Sequence, residues 1–187
     1  MPSLTINKIQ ETSNHFGIDS TKYSVLYESG TAGGKSVRQC VDSFRKIYTV
    51  EISDYFWRHT KWMKGSKKYK HVKFHKGASE DLIGDILKSI DEESKVVFWL
   101  DGHFSRSMPG SKGIIDCPLL LECEAIDSLY KSDEALIIID DYRLFSTKVN
   151  EDWTDITVEN VLGCFKNFKV DHYVHPDDCF CLYIMRK

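Results

Sequence analysis

An α/β fold with a doubly wound, mostly parallel sheet is predicted for this sequence of 187 residues from three observations. Short apolar runs with the character of strands alternate with segments of helical periodicity, and this alternation requires helices on both faces of a sheet. The run Lys95–Leu100 is apolar after its first residue, as in a strand buried on both faces. Near the end of the chain, residues 168–174 and 179–185 are strand-like runs joined by a short turn, so the last strand is antiparallel.

The clearest unit of this alternation lies at residues 23–53. A run of strand-forming residues ends at Glu28 and is followed by a glycine-bearing turn at residues 30–34. Residues 35–44 place apolar side chains at helical spacing, and a second apolar run then carries Glu51 near its end. This pattern predicts a strand, a turn, a helix and a second strand, with the turn at the carboxyl edge of a parallel sheet.

The glycine-bearing turn has the features of a ligand site. Glycine accepts positive φ and lets a ligand approach the backbone, and the following helix offers unpaired N–H groups to a negatively charged group. Glu51 lies 21 positions after Gly30, where an acidic side chain can accept hydrogen bonds from ribose hydroxyls. Two interpretations stay open here: an ordinary tight turn, or a site for a nucleoside-containing ligand.

The other segments continue the alternation of helices and strands. Residues 54–64 hold four aromatic side chains and predict one helix, while the basic loop at 65–71 is interpreted as a solvated connection rather than a phosphate site. The loop at 106–116 contains proline and glycine and no apolar period, so we expect it to be mobile and to close over a substrate. Further strands are predicted at 72–74 and 134–139, and further helices at 79–90 with Ser79 as the cap, at 119–130 and at 157–165.

The chain is expected to form one domain. Residues 23–187 are predicted to be the ligand-binding domain, and residues 1–22 an N-terminal cover segment, either a cover helix or a flap near the substrate. The hydrophobic fraction of 42% is enough for a substantial core.

The net charge and the cysteine pattern indicate which kinds of binding partner and which cellular compartment to expect. The net charge of -3 gives no bulk attraction to nucleic acid or to anionic membranes, so we expect a small-molecule partner and neither of these. No apolar run reaches membrane-spanning length, and the first ten residues lack a signal-peptide core. The six cysteines are scattered without a Cys-x-x-Cys pair and are interpreted as buried free thiols, which favours the cytoplasm. The oligomeric state is left open.

Acidic residues end four of the predicted strands. Asp101 and the pair Asp140 and Asp141 follow strands that are neighbours in the predicted order, so their carboxylates should converge on one crevice outside the sheet. Such a group suits a hard divalent ion such as Mg²⁺, although aspartates at these positions could equally begin loops. His103 lies at the rim of the same crevice and could accept a proton from a substrate hydroxyl.

The pattern resembles the class I S-adenosylmethionine-dependent methyltransferases from about residue 23 to the end of the chain. Residues 28–36, Glu-Ser-Gly-Thr-Ala-Gly-Gly-Lys-Ser, are similar to the first motif of that family, and Glu51 is similar to its ribose-binding acid; the usual Gly-x-Gly spacing is absent. The resemblance implies a Rossmann-like, doubly wound seven-stranded sheet, mostly parallel with an antiparallel last strand.

Binding of S-adenosylmethionine is what this resemblance implies for the turn. Glu51 would bind the ribose, the turn would meet the methionine end, and Ala78 and Ser79 would lie near the adenine. The candidate cofactor-binding residues are Glu28, Gly30, Thr31, Gly33, Ser36, Glu51, Ala78, Ser79 and Asp101.

Two further motifs refine the resemblance. Residues 100–103 and 138–142 are similar to those of metal-dependent sugar O-methyltransferases of the macrocin and aminocoumarin type. There, the first aspartate and the Asp-Asp pair hold Mg²⁺, which orients two neighbouring substrate oxygens. The resemblance therefore implies a metal on Asp101, Asp140 and Asp141 and a small, sugar-like acceptor, with His103 or Asp101 as the catalytic residue that takes the hydroxyl proton.

Two other functions compete with methyl transfer. A nicotinamide-dependent oxidoreductase should carry Gly-x-Gly-x-x-Gly for the pyrophosphate, and this chain lacks it. A non-catalytic, nucleoside-binding protein could keep the same fold without turnover, because a fold does not determine an activity.

Overall fold

A single seven-stranded sheet organises the computed structural model, which describes residues 3–105, 113–148 and 151–187. The strand order is β3-β2-β1-β4-β5-β7-β6. Strands β1 to β5 run parallel, whereas β7 is antiparallel to both β5 and β6. The strands are β1 (Tyr23–Ser29), β2 (Lys46–Glu51), β3 (Val72–Lys76), β4 (Lys95–Leu100), β5 (Glu134–Ile139), β6 (Phe168–His175) and β7 (Cys179–Arg186). The predicted doubly wound sheet with an antiparallel last strand is confirmed.

Helices cover both faces of this sheet. They are α1 (Ile6–His15), α2 (Lys35–Cys40), α3 (Asp54–His59), α4 (Lys61–Lys64), α5 (Ser79–Lys88), α6 (Leu119–Leu129) and α7 (Val158–Gly163). Buried side chains of α5, α6 and α7 share one hydrophobic cluster with one face of the sheet, and those of α1, α2 and α4 share a second cluster with the other face.

The central strands explain why the apolar runs are continuous. In β4, Val96, Phe98 and Leu100 belong to the first cluster, whereas Val97 and Trp99 belong to the second. Side chains of a strand point alternately to opposite faces, so a strand covered on both sides is apolar at its buried positions on both faces. The six cysteines are buried free thiols, as predicted from the sequence.

The N-terminal helix α1 packs against the second face of the sheet. Leu4 and Ile9 are buried in its hydrophobic cluster, and the N-cap hydroxyl of Thr5 accepts the backbone N–H of Lys8 at 3.0 Å. At the other end, the hydroxyl of Thr12 lies 3.8 Å from the thiol of Cys181 on β7. Helix α1 thus contacts β7 through Lys8 and Thr12, and the Lys8 ammonium lies over the Trp99 ring of β4.

Several element boundaries differ from the sequence prediction; the predicted helix at 35–44, for example, ends at Cys40. Residues 54–64 form two short helices, because Thr60 both ends α3 and precedes α4 while its hydroxyl donates to the Trp57 carbonyl at 3.0 Å. Ala78, without a side-chain hydrogen bond, occupies the N-cap of α5, so the predicted cap, Ser79, is the first helical residue. Strand β3 continues to Lys76, beyond the predicted end.

Two other predictions concern the loop that follows β4 and the absence of membrane-spanning helices. Residues 106–112 of the loop predicted to close over a substrate lie outside the described residues, so that prediction stays open. None of the helices in the described ranges combines the length and the apolar composition that a membrane crossing needs.

Candidate functional site

A cleft opens at the carboxyl ends of β1, β2, β3 and β4. Its place is where open α/β sheets bind ligands. The predicted site residues that line it are Gly30, Glu51, Ala78, Ser79, Asp101 and His103. The structure therefore brings the glycine turn and the end of β4 to one site.

The turn after β1 is fixed by its backbone. The amides of Gly30 and Thr31 both donate to the carbonyl of Val50, each at 3.0 Å. Gly30 has φ +83, and a Cβ at this position would overlap the backbone carbonyl of Asp101. Only glycine allows this conformation together with this close approach. The turn and the end of β4 are thereby held in direct contact on the floor of the cleft.

Glu51 reaches the cleft from the end of β2. One carboxylate oxygen accepts the Ala32 amide at 2.7 Å, and the other accepts the Ser53 amide at 2.6 Å. Burial raises the pKa of Glu51, and the two backbone amides oppose that shift. The carboxylate is held in one orientation at the cleft wall and keeps lone pairs that can accept a ribose hydroxyl.

Glu28 lies behind the turn rather than on the wall of the cleft. Its carboxylate accepts the Thr49 hydroxyl at 2.5 Å, and the Thr49 oxygen lies 2.5 Å from the hydroxyl of Thr31. Burial raises the pKa of Glu28 to about 8, although the hydroxyls of Thr49 and Ser36 oppose that shift. Glu28 therefore supports the turn from beneath through Thr49, and Ser36 joins it from the start of α2.

The other turn residues among the candidates do not reach the cleft through their side chains. Thr31 is 3% exposed and Ser36 is 6% exposed, and the Ser36 oxygen accepts the Leu4 amide at 3.2 Å. Gly33 offers only backbone groups. A ligand in the cleft would meet the backbone at Gly30 and Ala32, which line it.

At the end of β4 and β5, the structure brings together Asp101, His103 and Asp141. The Nε2 atom of His103 lies 2.9 Å from a carboxylate oxygen of Asp141 and 3.6 Å from one of Asp101. One potential ligand atom from each of the three residues lies within 4.8 Å of the others. Among the described residues, this is the group of His, Cys, Asp and Glu side chains whose ligand atoms lie close enough together to hold a metal ion.

The charges in this group are unequal. Burial raises the pKa of Asp101 well above its usual range, and the carboxylates of Asp140 and Asp141 add to the effect. Burial alone would raise the pKa of Asp141, but the hydrogen bonds and charges of His103 and Arg143 outweigh it and lower that pKa. For His103, burial lowers the pKa, yet the bond with Asp141 dominates and the net shift is upward. These opposite shifts favour a charged Asp141 and a protonated His103 beside Asp101, whose pKa is raised.

Arg143 is a cation that the sequence analysis did not assign to the site. It donates to Asp141 at 2.6 Å and also to Asp178 in the turn between β6 and β7. Because Arg143 follows Asp141 by only two residues, the sequence could have indicated that it lies at this site. Part of the negative charge that favours a metal at these strand ends is therefore already compensated.

Asp140 has different surroundings from its neighbour. It is 2% exposed, and its carboxylate accepts the Cys179 thiol at 3.5 Å. Burial and the charge of Asp141 raise its pKa to about 6, and the charge of Lys8 opposes that shift. His103, rather than Asp140, thus completes the group that Asp101 and Asp141 form.

Comparison with solved structures identifies the fold. A protein from Clostridium thermocellum assigned as an rRNA methylase superposes with a TM-score of 0.62 at 14% identity, covering 98% of this chain and 100% of that chain. One from Staphylococcus aureus, assigned as a caffeoyl-CoA O-methyltransferase, gives 0.61 at 14% identity and covers 98% and 85%. The chain has the class I methyltransferase fold. No protein-family model and no curated protein matches it.

A third methyltransferase structure adds a ligand to this comparison. A protein from Streptococcus mutans, assigned as a methyltransferase and solved in complex with SAH, superposes with a TM-score of 0.55 at 16% identity, covering 89% of this chain and 90% of that chain. At such identities the likeness establishes the fold alone.

Aromatic side chains complete the cleft of this methyltransferase fold. Phe56 and Phe104 line it, and the ring of Trp153 packs edge-on against His103 with centroids 5.0 Å apart. Trp153 is 2% exposed and belongs to the first hydrophobic cluster. The sequence carried no signal for this contact, because the segment around Trp153 has no regular periodicity and lies 50 positions from His103.

Proposed function

We propose that this protein is an S-adenosylmethionine-dependent methyltransferase that methylates a hydroxyl group of a small, sugar-like acceptor. One observation carries the proposal: the cleft of a methyltransferase fold combines a glycine turn and a fixed acid, Glu51, with the ionisable pair Asp101 and His103. The first half suits a nucleoside, and the second suits removal of a proton from an acceptor.

The cofactor would lie along the turn. Glu51, already oriented by two backbone amides, accepts hydrogen bonds from the ribose hydroxyls. The backbone at Gly30 and Ala32 meets the methionine end, and Ala78 and Ser79 border the adenine. The buried hydroxyls of Thr31 and Ser36 and the carboxyl of Glu28 hold this arrangement from behind.

The acceptor hydroxyl would enter beside Asp101 and His103. Its oxygen attacks the methyl carbon as the carbon–sulfur bond breaks, S-adenosylhomocysteine leaves, and the hydroxyl proton passes to Asp101 or His103. The Nδ1 atom of His103 lies 3.2 Å from the Phe104 carbonyl, and Nε2 faces Asp141. Either residue can act only in its basic form, so Asp101 must be ionised, or the imidazole of His103 neutral, when the acceptor binds.

A divalent cation belongs to the same proposal. Asp101, His103 and Asp141 fit a cation, since one ligand atom from each lies within 4.8 Å of the others. An imidazole among the donors shifts the preference from Mg²⁺, implied by the sequence resemblance, toward transition metals such as Fe²⁺ or Zn²⁺. When bound, such an ion would lower the pKa of the acceptor hydroxyl. Arg143 would continue to hold the outer oxygen of Asp141.

Label transfer tests the proposal. The protein is incubated with S-adenosylmethionine labelled in its methyl group and a panel of sugars, nucleosides and phenols, and product formation is followed together with cofactor binding by calorimetry. We expect binding of the cofactor and transfer to a hydroxyl-bearing acceptor. Binding without transfer to any acceptor would favour the non-catalytic protein, and binding of NAD instead would favour the oxidoreductase.

A further inference from the structure

A strongly basic segment connects β2 to β3 at residues 54–76. It contains eight Lys and Arg residues and one acidic residue, Asp54. The remaining chain holds 17 Lys and Arg residues against 27 Asp and Glu residues, and the whole chain has a net charge of -3. The positive charge of this protein is therefore concentrated on one segment, a feature that the overall charge conceals. We call it the basic face.

The cations of the basic face point to solvent and are mostly unpaired. Lys68 pairs with Asp42 at 2.8 Å, and Lys76 pairs with Asp54 at 3.1 Å. Within the described ranges, the other six cations of this segment have no carboxylate within ion-pairing distance. Lys64 lies over the ring of Trp57. The remaining five, all exposed, are Arg58, Lys61, Lys67, Lys70 and Lys73. Five uncompensated cations on one short segment repel one another, so their presence favours an anionic partner.

Exposed aromatic rings lie among these cations. Trp62 of α4 is 56% exposed, and Tyr55 of α3 is 49% exposed. Trp62 meets the ring of Tyr69 edge-on with centroids 5.6 Å apart, which leaves much of its surface open to solvent. The exposed part of each ring contributes nothing to the core, whereas it can stack on flat ligands.

The basic face borders the cleft. Phe56 of α3 lines the cleft, and Met63 of α4 packs against Gly34 of the glycine turn so closely that a Cβ at Gly34 would overlap it. The strand β3, which carries Lys73 and Lys76, is the edge of the sheet on this side. A chain molecule bound along this face would therefore run past the cleft entrance.

We propose that the basic face, residues 54–76, is a docking surface for single-stranded nucleic acid. Lysine and arginine neutralise backbone phosphates, and the exposed rings of Trp62 and Tyr55 stack on bases, which only an unpaired strand presents. An anionic membrane would also attract these charges, and binding to anionic vesicles is therefore one arm of the test. The basic face contains none of the residues proposed to bind the acceptor, so its binding of nucleic acid can be tested independently of methyl transfer.

Binding of fluorescent 12-nucleotide RNA and DNA single strands, measured by anisotropy at several salt concentrations, tests the surface. The test variant is Lys61→Gln with Lys67→Gln and Lys70→Gln, and its matched control is Lys22→Gln with Lys166→Gln and Lys169→Gln, three exposed lysines elsewhere. We expect the test variant to bind at least tenfold more weakly than the parent and its salt slope to fall by roughly 2, since each phosphate contact contributes about 0.7 for single strands. The control should bind as the parent does.

Trp62→Ala tests the aromatic part separately. We expect roughly tenfold weaker binding to single strands, with circular dichroism and the unfolding transition unchanged because this ring is mostly exposed. Tighter binding of either RNA or DNA single strands than of the matching duplex supports the inference. Equal loss in test and control variants, equal affinity for polyglutamate, or binding to anionic phospholipid vesicles but not to oligonucleotides would each overturn it.

Discussion

Gly30 approaches the backbone carbonyl of Asp101 so closely that even one methyl group would not fit between them. This contact joins the turn after β1 to the end of β4, the two parts of the cleft that the proposed reaction needs. Gly30 also has φ +83, a conformation that other residues adopt only with strain. One glycine therefore sets both the shape of the turn and the distance between the proposed cofactor and acceptor sites.

Replacing this glycine should destabilise the protein. We expect Gly30→Ala to lower the free energy of unfolding by about 2–4 kcal/mol, the combined effect of the strained φ and of the overlap with the Asp101 backbone. Urea unfolding measures it. Gly33→Ala is the matched control, because nothing lies within 4 Å of a Cβ at that position. Equal unfolding midpoints for the two variants would show that the turn can relax around the added methyl group.

The second prediction concerns Glu51 and the cofactor. Removing its carboxylate takes away the proposed acceptor for the ribose and the oxygens that accept the amides of Ala32 and Ser53. We expect Glu51→Ala to weaken S-adenosylmethionine binding by roughly 1–3 kcal/mol, the usual effect of an unpaired polar group. Calorimetric titration measures the affinity, with the exposed Glu93→Ala as control. An unchanged affinity would place the ribose elsewhere.

Much of the fold was readable from the sequence for a simple physical reason. A strand covered on both faces, such as β4 or β5, must be apolar at every buried position, and helices between such strands force a parallel order. The antiparallel hairpin followed from the short turn between its two strands. The strand-end positions of Glu51 and Asp101 then placed both residues in one cleft.

The arrangement within the site was less predictable, because it depends on side-chain directions and on contacts between distant segments. Asp140 and Asp141 are neighbours in sequence, yet the first faces Cys179 and the second faces His103. Asp141 has φ 59, a backbone conformation that no periodicity reveals. The pairing of Arg143 with Asp178 joins residues 35 positions apart, so local patterns carry no trace of it.

The third prediction is a pH dependence of stability that originates at Glu28. Burial raises the pKa of Glu28 from its ordinary value of 4.5 to about 8, so between these pH values the folded state holds a proton that the unfolded state releases. The contribution of Glu28 to the free energy of unfolding is therefore fully present below about pH 4.5. It is lost as the pH rises toward 8. Urea unfolding between pH 5 and 9 measures the loss.

Glu28→Gln should remove that part of the pH dependence. The neutral amide cannot ionise, so we expect the variant to gain stability relative to the parent by a few kcal/mol as the pH rises toward 8. Glu122→Gln is a useful comparison, because burial also raises the pKa of Glu122, to about 7. Parallel stability curves for Glu28→Gln and the parent would mean that Glu28 is ionised in the folded protein.

The last prediction separates the two candidate sets of metal ligands. The sequence motifs favour Asp101, Asp140 and Asp141, whereas the structure places Asp101 and Asp141 with His103. Titration of the protein with Mn²⁺, followed by the decrease of the free-ion EPR signal, measures binding directly and without an acceptor. We expect one site in the parent, at least tenfold weaker binding in Asp141→Asn and in His103→Ala, and nearly unchanged binding in Asp140→Asn.

The comparison of Asp140→Asn with Asp141→Asn decides the matter because the two changes are chemically identical and adjacent. The carboxylate of Asp140 is occupied by the Cys179 thiol and balanced by Lys8, so its loss should leave a Mn²⁺ site on the other side intact. Loss of binding in Asp140→Asn with retention in His103→Ala would support the three-carboxylate set instead. Absence of binding in the parent, with methyl transfer unaffected by a chelator, would remove the metal and leave Asp101 and His103 to take the proton from the acceptor.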